Sequence, residues 1–306
     1  MTFSTDELLA FVTVVDSGSI TAAAEQLGQT TSGISRALSR LEQKLAATLL
    51  QRTTRRLNLT EDGVLFLEGA RNILRAMEQT EEMLAARRNK LAGRLRVDAA
   101  SPFMLHCVVP LMAEFTRLYP EIRLELTSHE RNVDLLEQRT DIALRIGTLA
   151  DSSLHARVLG TSQVRLLASP AYLAAHGEPH EIAALAQHRL LGFTDPDALN
   201  HWPLRQSAKK GQTGAERLKI TPDLAASSGE TLRQLALAGL GIAALSAFMT
   251  DDDIRAGRLI CVLPDLLSVH KQTISAVYYR DTALSARVAC FIEFIAQRWQ
   301  SAPAPV

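Results

Sequence analysis

The sequence predicts an α/β protein headed by a small winged helical unit and a long connecting helix, and three features predict it. Three short helical stripes separated by glycine stops fill most of the first sixty residues. A proline-free stretch from about Glu61 to Lys90 follows, with apolar residues at heptad-like intervals and charges between them. After Gly93 the pattern changes to alternating strands and helices, the signature of parallel α/β packing. With 306 residues the chain exceeds one average domain, so two or three compact units are expected.

In DELLAFVTVVDSGSI, residues Leu8, Leu9, Phe11, Val12 and Val15 follow a helical stripe that ends at Gly18. Ser19 caps a short alanine-rich helix that runs through Leu27 and stops at Gly28. In TTSGISRALSRLEQKL, Ile34, Leu38, Leu41 and Leu45 share one face, while Ser32, Ser35, Arg36, Ser39 and Arg40 fall largely on the other. LLQRTTRRLNLT alternates from Arg55 to Thr60 and reads as a two-stranded wing with Arg52, Thr53, Arg55 and Arg56 near its tip. Thr60 then caps the long helix, whose stripe of Val64, Leu67, Leu74, Met77 and Leu84 is narrow enough to need a partner. Beyond Gly93, LRVDAAS reads as a strand, PFMLHCVVPLMAEFTRLYP as one helix stopped by Pro120, and IRLELTS as a strand. NVDLLEQ continues as a helix and DIALRIG as a strand. A second unit begins near QVRLLASP and includes the helix ETLRQLALAG and the strand-like IAALS. It gives way around Pro264 to a strand, KQTISAVYYR, and an amphipathic helix, TALSARVACFIEFIAQRW.

Hydrophobic residues at 47% and charged residues at 22% are ordinary globular usage, which argues against a disordered or fibrous chain. The 33 Lys+Arg balance 33 Asp+Glu, so any nucleic-acid role must come from a local patch. Between Gln26 and Thr60 such a patch exists: Arg36, Arg40, Lys44, Arg52, Arg55 and Arg56 face one acid, Glu42, a local excess of five. Arg36 and Arg40 lie one helical turn apart and suit phosphate or guanine, and Thr31, Ser32 and Ser35 are short enough to let the helix enter a major groove. Charge alone fits a solvated amphipathic helix equally well; the helix spacing and the wing favour DNA. The start, MTFSTDELLAF, carries acids and no basic n-region, and no apolar run approaches the roughly 18 residues that cross a bilayer, so a cytoplasmic protein without membrane insertion is expected. Cys107, Cys261 and Cys290 form an odd set without metal spacing and read as buried reduced thiols.

The segment FVTVVDSGSITAAAEQLGQTTSGISRALSRLEQKLAATLLQRTTRRLNLTEDG resembles the N-terminal domain of the LysR-type transcriptional regulators. DIALRIG, LLASPAYLAAHG and ETLRQLALAGLGIAAL extend the resemblance over nearly the whole chain. It implies a regulator that binds a double-stranded DNA operator under the control of a small-molecule effector. Gln29, Thr31, Ser32, Ser35, Arg36 and Arg40 would then face DNA from the helix, with Arg52, Thr53, Arg55 and Arg56 in the wing. Val64, Leu67, Leu74 and Met77 would pair two subunits through antiparallel linker helices, and dimers would assemble into a homotetramer. The implied division is a winged helix-turn-helix over 1–60, a linker helix over 61–90 and an effector domain over 93–302. That domain would resemble the periplasmic solute-binding proteins, with lobe I at 93–162 and 268–302 and lobe II at 163–267.

Open parallel sheets bind ligands beyond the carboxyl ends of their strands, where helix N-termini present free N–H groups. Ser101, Ser128, Ser227 and Ser228 stand at such places and suit a carboxylate, although simple helix capping explains them as well. Arg145 closes DIALRIG and either meets an acidic effector or pairs with a structural acid; Phe193, Thr194 and His201 follow the strand-like LLGF and fit a cleft lining. Three enzyme-like patterns fail on context. Gly239, Gly241 and Ala244 spell G-x-G-x-x-A after a helix instead of a strand; Ser207 and Lys210 spell S-x-x-K in the turn-rich QSAKKGQTG; the eight histidines show no H-E-x-x-H. No catalytic residue, metal ligand or cofactor is therefore expected. An enzyme reading lacks an assembled nucleophile or base, and a general DNA coat would differ from a regulator in lacking sequence discrimination.

Overall fold

Residues 3–52, 57–86, 91–130, 140–147, 149, 154–204, 217–268, 271–279 and 285–301 are described by the computed structural model, in which the chain divides into two units, Met1–Lys90 and Leu91–Val306. The expected helix NVDLLEQ, the wing residues Thr53, Arg55 and Arg56, and Ser207 and Lys210 lie outside the described residues.

Capping sets the helix ends of the first unit. Helix α1 (Thr5–Ser17) starts at Ser4, whose hydroxyl accepts the Glu7 N–H while the Glu7 carboxylate accepts the Ser4 N–H, and it ends at Gly18 with φ +65°. Ser19 caps α2 (Ile20–Gln26) and Thr30 caps α3 (Thr31–Leu45). Strands β1 (Leu50–Arg52) and β2 (Leu57–Leu59) pair antiparallel as the base of the wing. The Thr60 hydroxyl accepts the Gly63 N–H at 2.9 Å and donates to the Thr48 carbonyl at 2.6 Å, joining the start of α4 (Glu61–Ala86) to the strand before it. Phe11, Ile34, Leu38, Leu41 and Leu49 form a core that α4 completes with Leu67 and Ala70. Close approach of α4 depends on Gly63, where a Cβ would stand 2.1 Å from the Leu49 carbonyl oxygen.

The long helix corrects the expected dimer stripe. Leu67 is only 8% exposed and Leu74 packs beside it, so the centre of the stripe is consumed within its own unit. Val64 and Met77, at the stripe's edges, are 58% and 41% exposed, and Leu65 and Ile73 add apolar surface outside the stripe. The spacing located an apolar seam, but on a helix serving two neighbours the seam belongs to the nearer one.

In the second unit β3 (Gly93–Ala99) leads into α5 (Ser101–Phe103). The single helix expected next is broken into α5, a π turn over Met104–Val108, a 3-10 turn over Val109–Leu111 and α6 (Met112–Leu118). Pro110 is the physical reason, since it has no N–H to donate and its ring clashes with the carbonyl a turn back. Strands β4 (Ile122–Ser128), β5 (Ile142–Ile146) and the fifteen-residue β6 (Leu154–Ala168) precede α7 (Pro170–His176) and β7 (Leu190–Phe193). Two short strands, β8 (His201–Trp202) and β9 (Leu218–Lys219), pair with each other. Then come β10 (Leu224–Ala226), α8 (Gly229–Leu237), β11 (Ile242–Ser246), α9 (Ala247–Arg255), β12 (Ile260–Cys261), β13 (Lys271–Tyr279) and α10 (Ala286–Ser301).

The main sheet runs β10-β7-β11-β6-β13-β5-β3-β4, with β12 alongside β6. It is mixed and not purely parallel: β4, β3 and β5 are parallel in the first lobe and β10, β7 and β11 in the second, whereas β6 and β13 run antiparallel to their neighbours. Strand β6 pairs with β13 from Leu154 to Gln163 and with β11 from Val164 to Leu167, so it crosses from one lobe to the other. Its register against β13 slips between Ile274, opposite Gly160, and Ser275, opposite Val158. Strand β4 ends the sheet, with Arg123, Glu125, Thr127 and Ser128 exposed along it. Arg94 and Arg96 of β3 reach Glu125 at 3.2 and 3.3 Å. Phe115 meets Phe291 and Phe294 edge-on in the first core, and Trp202 and Leu166 lie in the second. Among the described residues no helix is long and apolar enough to cross a membrane.

Gly63→Ala is expected to lower the unfolding free energy by about 1–3 kcal/mol in urea titrations, because the new methyl group has no room. Gly69→Ala, on the same helix with nothing within 4 Å of its Cβ position, is expected to be neutral or to raise stability by roughly 0.5–1 kcal/mol. Equal effects at the two positions would refute the close approach at Gly63.

Candidate DNA interface and ligand cleft

Helix α3 divides cleanly. Ile34, Ala37, Leu38 and Leu41 are buried, and Thr31, Ser32, Arg36, Ser39 and Arg40 are exposed. Ser35 is half-buried, and Gln29 is exposed in the turn before the Thr30 cap. The Arg36 Nε donates to the Ser32 carbonyl at 3.2 Å, which lays the guanidinium along the helix's outer face. Beside it Arg36, Ser39, Arg40, Gln43 and Thr48 border a shallow hollow. Arg52 ends β1 at the edge of the described wing.

Not all of the local positive charge is free. Lys44 Nζ donates to both oxygens of Glu7, at 2.9 and 2.8 Å, and Arg40 Nε stands 3.5 Å from the same carboxylate. Glu42 is committed to the backbone N–H groups of Leu49 and Leu50, at 2.8 and 3.1 Å, at the entrance to the wing. The excess of five counted along the sequence therefore overstates the patch, because Glu7 lies outside that window and folds against it. Arg36 remains directed outward, and Arg40, at 59% side-chain exposure, keeps most of its guanidinium in solvent. The Lys44 ammonium bonded to it, helped by the Ser4 N–H, holds the Glu7 carboxyl below its usual value against the opposing pull of burial.

In the second unit a cavity of about 210 Å³ lies between the lobes. Of the side chains assigned to a cleft from sequence, Arg145, Phe193, His201 and Ser227 line it; Ser101, Ser128, Thr194 and Ser228 do not. Each exception has a local cause. The Ser101 N–H donates to Glu130 Oε1 at 3.3 Å, and Ser128 ends the outermost strand. The Thr194 N–H is held by the Ala226 carbonyl at 3.0 Å, and the Ser228 hydroxyl caps α8 by accepting the Glu230 N–H at 3.2 Å. Phe193 is fixed by Asn200, whose side-chain amide bonds its N–H and its carbonyl, both at 2.8 Å.

Arg145 has a structural partner. Its Nη1 donates to Asp98 Oδ2 at 2.9 Å, and Asp98 is fully buried. The other Asp98 oxygen meets His129 Nδ1 at 2.6 Å and accepts the Thr127 hydroxyl at 3.2 Å. Asp98, His129, Glu130 and Arg217 were missed as cleft groups or their supports; the one visible signal was an acid, Asp98, inside the otherwise apolar end of LRVDAAS. Gly239, with φ +77°, follows α8 as a helix stop and not as part of a phosphate loop.

Residues 5–64 match the bacterial regulatory helix-turn-helix protein family of lysR type, and residues 88–300 match the LysR substrate binding domain. Over 297 residues the chain is 45% identical to the HTH-type transcriptional regulator CrgA of Neisseria meningitidis serogroup C, covering 97% of each chain. The solved structure of CrgA from Neisseria meningitidis overlays with a TM-score of 0.64 at 45% identity, covering 98% of this chain and 99% of that one. The full-length Vibrio cholerae virulence activator AphB overlays with a TM-score of 0.63 at 29% identity, covering 96% and 99%.

Arg145→Met is expected to lower stability by about 3 kcal/mol, since it removes the guanidinium facing the buried Asp98 carboxylate and leaves it only His129 and the Thr127 hydroxyl; adding Asp98→Leu should recover most of that loss. Urea unfolding of the single and double variants decides this. Ionised Glu7 contributes stability that is fully present above its unfolded pKa near 4.5 and is lost as pH falls through its lower folded value. The stability gap between the native chain and Glu7→Gln should therefore be constant from pH 7 to about 5 and close in more acidic buffer. A gap that persists at acid pH would show that the Glu7 contacts act through packing alone.

Proposed function

The chain belongs to the LysR family of bacterial transcriptional regulators, with a helix-turn-helix DNA-binding unit and a C-terminal substrate-binding domain, and on that premise we propose how it engages DNA and effector. The observation that carries the reading is the outward row of Thr31, Ser32, Arg36 and Arg40 on a helix whose opposite face is buried. Short hydroxyl residues at the N-terminal end let α3 approach base edges, Arg36 reads a guanine or a phosphate, and Arg40 tracks the backbone. Gln29 and Ser35 complete the helix contacts; Arg52, Thr53, Arg55 and Arg56 bring the wing to the flanking phosphates.

We divide the protein into a winged helix-turn-helix at 1–60, a linker helix at 61–90, and an effector domain at 93–302 with lobes at 93–162 plus 268–302 and at 163–267. Two copies associate through the exposed apolar positions Val64, Leu65, Ile73 and Met77 of α4, and pairs assemble into a tetramer that engages two operator half-sites. The protein works in the cytoplasm, where its DNA is, and catalyses no reaction; Asp98, buried behind the cleft's Arg145 and His129, is spent on those two side chains.

The effector is a small carboxylate held between the lobes near Arg145, His201 and Ser227. A cavity of about 210 Å³ falls below the roughly 300–1,000 Å³ usual for ligand pockets, which favours a metabolite of few heavy atoms. Its binding alters the lobe arrangement only in so far as it prefers one arrangement over the other.

Genome-wide footprinting should find discrete operator sites, and even occupancy along the chromosome would defeat the regulator reading. Arg36→Ala is expected to weaken operator binding by about 1–3 kcal/mol and to relax preference at one base position. A thermal-shift screen of small carboxylates should find one that raises Tm, with the shift reduced in Ser227→Ala and operator affinity unchanged.

A further inference from the structure

The cations of α3 form a single line. Arg36, Arg40 and Lys44 are four residues apart, so each stands about one turn beyond the last on the same face. Arg36 and Arg40 are exposed, whereas Lys44 is half-buried and its ammonium is bonded back toward α1. The anchor there is Glu7, whose side chain is only 4% exposed.

That carboxylate cannot follow Lys44 outward. Helix α1 packs on α3 through Leu8 and Phe11 against Ile34, Leu38 and Leu41, and Glu7 Oε2 accepts the Ser4 N–H at 2.8 Å in the capping box. Lys44 Nζ meets both Glu7 oxygens at 2.9 and 2.8 Å, and Arg40 Nε stands 3.5 Å from Oε1. A capping box is served by Gln as well as by Glu, so the cap does not explain the charge. Withdrawing the ammonium would leave a buried carboxylate with the Ser4 N–H and a more distant guanidinium, a larger loss than one solvent-exposed phosphate contact returns.

We propose that Glu7 is a positioning residue of the DNA face, an internal counter-anion that keeps the Lys44 ammonium off the phosphates and so holds down sequence-independent affinity for DNA. The proposal rests on the reading of α3 as the DNA-facing helix. Sequence-independent affinity comes from phosphate contacts, each of which releases a counterion. A regulator must leave random DNA to reach its operator, because competing sites outnumber it by orders of magnitude. An acid on α1 that removes one cation from the line shortens each stay on such sites, while Arg36, outside its reach, remains available to a base.

The test uses the full-length protein and a labelled random-sequence duplex of about 30 bp, with affinity read by fluorescence anisotropy at neutral pH from about 50 to 200 mM KCl. Glu7→Gln, which keeps the capping box, should bind the duplex more tightly and with a steeper salt dependence. The gain should amount to about one to two phosphate contacts per engaged copy, each worth about 3.5-fold in affinity across that range of salt. Adding Lys44→Gln to Glu7→Gln should remove about one of those contacts; a change confined to folding would alter the amount of active protein and not the slope. Should Glu7→Gln fail to fold, the neutral pair Glu7→Leu with Lys44→Met answers the same question. Its slope should be no shallower than the native one, since native Lys44 makes no phosphate contact. An unchanged slope in Glu7→Gln, a gain that survives Lys44→Gln in full, or a shallower slope in the neutral pair would each overturn the proposal. Arg36→Gln separates this from the reading beneath it and should make the slope shallower by about one contact per engaged copy. If it does so while Glu7→Gln changes nothing, the role of Glu7 alone falls; if neither variant changes the slope, the DNA face of α3 falls with it.

Discussion

The second unit depends on one strand being hydrogen-bonded into two half-sheets at once. The first ten residues of β6 are tied to β13 and the next four to β11, so the backbone that ends one lobe's sheet begins the other's. Backbone N–H and C=O groups buried in a sheet must be paired, which leaves β6 little freedom to leave either neighbour. Ser246 at the end of β11 donates to Gln272 of β13 at 2.6 Å, adding a side-chain tie where the two lobes meet.

Local structure was readable wherever a short-range rule governs it. Ser19 and Thr60 cap the helices that follow them, and Gly18 and Gly28 take the positive φ that stops a helix without strain. What was not readable involves choice among partners. The apolar seam of α4 was visible, but Leu67 and Leu74 fall to the core of their own unit, and nothing in the spacing says which neighbour arrives first. The parallel α/β pattern was correct for the strands flanked by helices and failed for β6 and β13, whose direction is set by the chain crossing between lobes and not by local composition. Pro110 was passed over inside one long expected helix, and its effect is spread over a π turn and a 3-10 turn instead of a clean stop.

Site residues followed the same division. The placement of Arg36 and Arg40 on the exposed face of α3 was legible because a helix repeats within a turn. Their electrostatic setting was not, since Glu7 reaches Lys44 across 37 positions and Arg145 reaches Asp98 across 47. Both acids were visible as residues, and in each case folding, not sequence proximity, supplied the cation. Serines before helices were ambiguous for a sound reason: a hydroxyl at a helix N-terminus caps its own backbone as readily as it meets a ligand, and Ser228 does the former.

Among the described residues strand β4 ends the sheet, and a row of unpaired backbone groups is a template for another strand. Glu125, held by Arg94 and Arg96, and Arg123 place fixed charge along that rim. An incoming strand would have to bury those charges against its own side chains, a desolvation cost that ordinary apolar strands do not offset. That margin of the sheet thus carries a barrier to association without end, so that growth by sheet extension is disfavoured.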